Sequence, residues 1–209
     1  KYTAATIAEK LDYYGSWLEL SSSSEYAYIT VYSLNKYLAK TLEVVESMIK
    51  EPVFPEKELH TILDTNIQQY LVNTSKVDFL AHRGLLQALY GTQHPCGQIV
   101  VEEDYHAIIP EVLRDFYGRH YHSGNCSIFL SGKVTEDIIR RVTGAFGTPF
   151  GQYQLKASKP IFSFVAVPEK RIFIEREDAL QSAVKMGCTT ITRQNPDYLK
   201  LRVLMTLFG

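Results

Sequence analysis

Cysteine is scarce in this chain. Three residues in 209, Cys96, Cys126 and Cys188, stand far apart with no C-x-x-C pair, so neither a disulfide framework nor a cysteine-built zinc site is indicated. That usage favours a reducing compartment and so the cytoplasm, with the periplasm left open. Charge of one sign is lacking too: 22 basic against 23 acidic residues leave a net charge of -1, so no global field draws the protein to nucleic acid or to an anionic membrane. No apolar run approaches the roughly 18 residues needed to span a bilayer. The start, KYTAATIAEK, is polar and amphipathic rather than a charged segment leading into an apolar stretch, so it does not read as a signal peptide. This leaves export of the parent protein undecided.

What remains is ordinary globular usage, 45% hydrophobic and 22% charged, in a chain long enough for one large or two small domains with substantial cores. The 14 Tyr and 10 Phe do not point to nucleic acid, since alternating aromatics such as Tyr26, Tyr28 and Tyr32 read as strand core rather than as stacking platforms for bases.

The pattern along the chain predicts an α+β architecture. Thr3 can cap a helix whose Ile7 and Leu11 lie one turn apart, and Gly15 suits its left-handed exit. Residues 16–20 and 25–33 read as strands, the second because Tyr26, Tyr28, Thr30 and Tyr32 alternate with Ala27, Ile29 and Val31. Leu34, Leu38, Leu42, Val45, Met48 and Ile49 form the apolar stripe of the clearest helix, with Lys36, Lys40, Glu43 and Glu46 outside it. Pro55 fits the first turn of a further helix, where Glu56 and Glu58 face its positive end. Another helix runs from about 76 to 90 and stops at Gly91, Pro110 opens the next, CSIFLSG is a buried-type strand, and Thr135 caps the amphipathic helix TEDIIRRVTGAFG. The stretch GTPFGQYQLKASKP, rich in Gly, Pro and polar residues, reads as a linker. Beyond it IFSFVAV, RIFIERE and QSAVKMGCTTI read as strands, followed by a helix near Pro196.

The helix after Pro55 carries an unusual face. At about 100° per residue, Ile62, Asn66, Gln69 and Asn73 share one side, which is therefore lined by amides. His60 and Asp64 lie off that side, and Glu58 is on it about three turns away from Gln69. Among the six histidines only His120 and His122 are close; such a pair can bind metal from one strand face, but with no acidic or thiol partner nearby it reads better as the end of the Pro110 helix.

In their order and spacing these segments resemble the M16 zinc metallopeptidases, the family of pitrilysin, insulinase and the mitochondrial processing peptidases. KYTAATIAEKLDYYGSWLEL is similar to the family stretch after the H-x-x-E-H helix. The segment from Ser21 to Phe54 resembles its strand, helix and Pro-x-Phe, with Glu25 at the usual acidic position. GTQHPCGQ resembles the His-Pro-Tyr-Gly loop with Cys96 for Tyr. DFYGRHYHSGNCSIFLSGKV resembles Phe-Tyr-x-x-x-Tyr-x-x-x-Asn before a strand ending in Gly-x-Val. The stretch from Asp178 to Gly209 looks like the opening of the second half-domain.

The resemblance implies a duplicated two-layer antiparallel sheet with helices, the LuxS/MPP-like metallohydrolase fold. Its first unit (1–150) would be nearly complete though lacking its N-terminal strands and H-x-x-E-H helix, 151–160 would link, and 161–209 would begin a second unit of the inactive-domain type, truncated. In the family an H-x-x-E-H helix gives two zinc-binding His and a general base, and a later helix gives a third, carboxylate ligand. Aligned on Phe54 and Leu59, that ligand falls at Gln69 and its acidic neighbour at Ile62. A neutral amide is a poor substitute for an anionic zinc ligand, so no catalytic or metal-binding residue and no bound cofactor is expected in this chain.

Family relatives pair two halves into a chamber in which an edge strand binds the substrate backbone. The corresponding stretch here contains Trp17, Leu18, Glu19, Leu20 and Ser21 and runs to Glu25; Glu19 and Leu20 replace the family's usual Asn-Ala. The expectation is a non-catalytic subunit that pairs, as hetero- or homodimer, with a second M16-type chain bearing zinc and helps to enclose peptide, with no nucleic-acid or membrane partner. One alternative is an active zinc endopeptidase whose zinc motif lies upstream of Lys1. Another is a structural core-type subunit without peptide binding.

Overall fold

A computed structural model describes residues 2–23, 25–151, 162, 168–169 and 171–208. Helix α1 (Ala4–Tyr13) starts where Thr3, in extended conformation, accepts a hydrogen bond on its side chain from the Thr6 amide. It ends at Gly15, whose φ of 58° lies where a Cβ would be strained. The amide of Ser16 then turns back to the carbonyl of Leu11 at 2.9 Å, and the chain enters an antiparallel hairpin, β1 (Trp17–Ser22) and β2 (Ala27–Tyr32). The register pairs Trp17 with Tyr32, Glu19 with Thr30 and Ser21 with Tyr28; side chains alternate across a strand, so these six share one face.

The hairpin leads to α2 (Leu38–Lys50). The apolar stripe extends back to Leu34, but the helix begins four residues later. The Tyr37 amide bonds the Leu34 carbonyl at 2.9 Å, closing a turn, and the Asn35 side chain reaches the Lys133 carbonyl at 3.1 Å. Thr41, Val44 and Val45 are its buried residues. They meet α1 and α7 (Glu136–Phe146), and with Leu11, Ile138, Val142 and Phe150 make a small core. Burying each such aliphatic side chain is worth about 1.5–3 kcal/mol. Thr135 caps α7 by accepting from the Ile138 amide at 3.4 Å. At the other end Lys50 reaches the Ala145 carbonyl at 2.6 Å while ion-pairing with Glu46 at 2.7 Å, so a cation sits on the negative end of α7.

Next come α3 (Glu56–Thr74), α4 (Val77–Tyr90), a short α5 (Glu102–His106), α6 (Pro110–His120) and, near the end, α8 (Tyr198–Phe208). Gly91 ends α4 with a φ of 76°. The chain forms two compact parts, 1–68 with 101–160 and 69–100 with 161–209, the division falling inside α3. In the second, Gly84 of α4 lets Ile174 come close, Gly187 lies against Leu85, and Lys185 pairs with Asp78 at 2.6 Å.

The architecture is α+β, dominated by helices, with a two-stranded antiparallel sheet among the described residues. The expected strands at 126–132, 171–177 and 181–191 do not form a ladder there. The backbone at Cys126 is extended, but a strand also needs a second main chain beside it. Phe129 and Phe173 are 91% and 85% exposed instead. The segment IFSFVAV, except Phe162, and the linker from Gln152 onward lie outside the described residues. No described helix is long and apolar enough to cross a membrane.

Candidate functional site

The hairpin is fixed to the helical layer at its open end, where three hydroxyls meet. Ser16, just before β1, bonds Thr41 of α2 at 2.7 Å and Ser33, just after β2, at 3.1 Å. Ser33 and Thr41 are 2.9 Å apart, and Thr41 also donates to the Tyr37 carbonyl at 3.2 Å. Ser16 and Thr41 are both buried, Thr41 completely. The triangle therefore satisfies polar groups that would otherwise be costly to bury, and it sets where β1 and β2 leave the core. Sequence reading passed over it: hydroxyls 17 and 25 positions from Ser16 make no motif.

Beyond that anchor the hairpin stands in solvent. Trp17 is 61% exposed and stacks on Tyr32 with ring centroids 4.9 Å apart; Leu20 is also exposed, whereas Leu18 is half-buried. Among the described residues the main chain of Trp17–Ser22 hydrogen-bonds to β2 alone. Every second residue of an antiparallel strand turns its N–H and C=O away from its partner, so the outer edge of β1 offers a row of free donors and acceptors. At the turn the Ser23 hydroxyl accepts from the amides of Glu25 and Tyr26 at 3.4 and 3.1 Å, and the Ser23 amide bonds the Tyr26 carbonyl at 2.8 Å, so Glu25 lies within the turn that links the strands. The structure thus brings the stretch from Trp17 to Glu25 together in one exposed hairpin.

Helix α3 carries the other predicted positions. Gln69 donates its side-chain amide to the Asn73 side chain at 3.2 Å, and Lys76 reaches the same oxygen at 3.3 Å. Ile62 is exposed and lines a cleft of about 250 Å³ with Ile7, Met48, Phe54, Leu59 and Leu113. Phe54 there has a φ of 45°, an uncommon conformation for a bulky residue. Glu58 accepts the Ala4 amide at 3.3 Å, and His60 and Asp64 face each other at 3.3 Å one turn apart. No three His, Cys, Asp or Glu among the described residues come together as metal ligands. An amide bonded to an amide, an isoleucine and a carboxylate spent on a backbone N–H do not fit a zinc ion.

His120 ends α6 and is exposed. His122 is buried and is followed by a short helical turn, Ser123–Asn125. Its Nδ1 and the Ser123 hydroxyl have no partner among the described residues. On α6 the Tyr117 hydroxyl donates to the Ile49 carbonyl, and burial raises its pKa above 10.0. Burial likewise pushes the Cys126 thiol up.

Comparison with known proteins gives these features a context. Residues 107–209 match the family described as "Peptidase M16 inactive domain". The chain is 28% identical over 149 residues to "Mitochondrial-processing peptidase subunit alpha-1" of Dictyostelium discoideum, covering 69% of this chain and 23% of that protein. It is 24% identical over 148 residues to "Uncharacterized zinc protease YmxG" of Bacillus subtilis, covering 70% and 36%. The chain thus spans well under half the length of these curated relatives. The crystal structure of a peptidase M16 inactive domain from Pseudomonas fluorescens superposes with a TM-score of 0.63 at 21% identity, over 74% of this chain and 39% of the other. At that identity the likeness is one of fold.

Proposed function

Since the chain belongs to the M16 peptidase family, we propose that it is part of a non-catalytic subunit of a zinc-dependent peptidase pair, which helps a second M16-type chain to enclose peptide. The observation carrying this reading is the amide pair Gln69–Asn73 on α3, together with Ile62, where the family resemblance calls for acids. The match to a family described as an inactive domain supports it. In this reading residues 1–150 and 161–209 belong to successive units of a duplicated fold. The chain contributes shape and backbone rather than chemistry, through the outer edge of β1, where main-chain hydrogen bonds supply affinity with little regard to sequence. Zinc and the general base belong to the partner.

A second reading, an active endopeptidase whose zinc motif lies upstream of Lys1, is favoured by the name of the Bacillus subtilis relative, an uncharacterized zinc protease. A native mass spectrum of the full-length protein, purified gently from its own cells, separates the two. A one-to-one complex with a different M16 chain, holding one zinc per pair, is expected. A homomer with one zinc per chain would overturn the non-catalytic reading.

A further inference from the structure

We draw no further inference here: the strongest candidate, the apolar cleft of about 250 Å³ that Ile7 of α1, Met48 of α2, Phe54, Leu59 and Ile62 of α3 and Leu113 of α6 line together, carries nothing because nothing in the structure shows what covers it.

Discussion

Replacing Thr41 by Val tests whether the hydroxyl triangle anchors the hairpin. The two side chains have nearly the same shape, so packing in a site with no solvent exposure is retained and the hydroxyl is the main loss. Three contacts go with it, to Ser16 at 2.7 Å, Ser33 at 2.9 Å and the Tyr37 carbonyl at 3.2 Å. The Tyr37 carbonyl keeps the Lys40 and Thr41 amides at 2.9 and 3.0 Å and stays satisfied. Ser33 can turn to the Leu34 carbonyl at 3.3 Å. Ser16 is 5% exposed and keeps only Ser33, so it bears the penalty. One net hydrogen bond at about 1 kcal/mol, plus partial loss at a buried hydroxyl, sums to about 2 kcal/mol.

The Thr41→Ser variant retains the hydroxyl and should lose only about 1 kcal/mol for the missing methyl. Ser16→Ala combined with Thr41→Val should cost less than the two singles added, by about 1 kcal/mol, because no orphan is left. Native-state hydrogen exchange in the full-length protein reads this locally. Protection of the β1–β2 ladder amides should fall about 30-fold in Thr41→Val, following the 2 kcal/mol. A Thr41→Val variant within about 0.5 kcal/mol of the parent, or a strictly additive double variant, would refute the anchoring role.

Other outcomes are equally open to measurement. Because burial raises the Tyr117 pKa, the phenol's contribution to stability is fully present below 10.0, its unfolded value, and is lost as pH rises through the higher folded one; Tyr117→Phe should flatten that alkaline limb in pH-dependent denaturation. Gly97→Ala would place a Cβ 2.1 Å from the Gly91 carbonyl oxygen, costing about 1–3 kcal/mol as the loop opens, seen as faster proteolysis between 91 and 97. Gln69→Glu should confer no peptide cleavage on this chain, since the remaining ligands and base are not encoded in it; zinc-dependent cleavage by that single variant of residues 1–209 would remove the alignment on which the proposed role stands.

Helices were legible in the sequence because their signals are local. The Thr3 and Thr135 caps, the left-handed Gly15, and Pro110 at a first turn act within four residues of themselves, and each appears where expected. Leu34 misled the reading because its periodicity is correct, while Asn35 is held by a carbonyl 98 residues away. Strands fared worse for the same reason: alternation marks a face that needs covering, but pairing depends on a distant main chain. Thus 17–22 and 27–32, joined by a short turn, found each other, while 171–177 did not pair within the described residues. The hydroxyl triangle was illegible, since only the fold brings positions 16, 33 and 41 together. On α3 the shared amide face was predictable from helical angles, and the Gln69–Asn73 bond is its expected i,i+4 consequence.

A chain of this family can lose its ligand set and still keep a use for its edge strand, because the two functions tolerate change differently. Zinc binding requires particular atoms at about 2 Å with an anionic or imidazole donor, so a single carboxylate replaced by an amide, as the alignment has at Gln69, removes most of its value. Binding an extended peptide by its backbone requires a strand edge held in place and left open. Here that depends on the hydroxyls of Ser16, Ser33 and Thr41 and on the turn at Ser23, none of which lies on α3. Side chains along the edge are then free to vary, and in this chain Glu19 and Leu20 stand where the family resemblance has Asn and Ala. In the proposed role, loss of chemistry on one helix and a change of side chains on one hairpin are therefore separable, and swapping Glu19 and Leu20 for Asn and Ala is expected to change peptide affinity without changing zinc content.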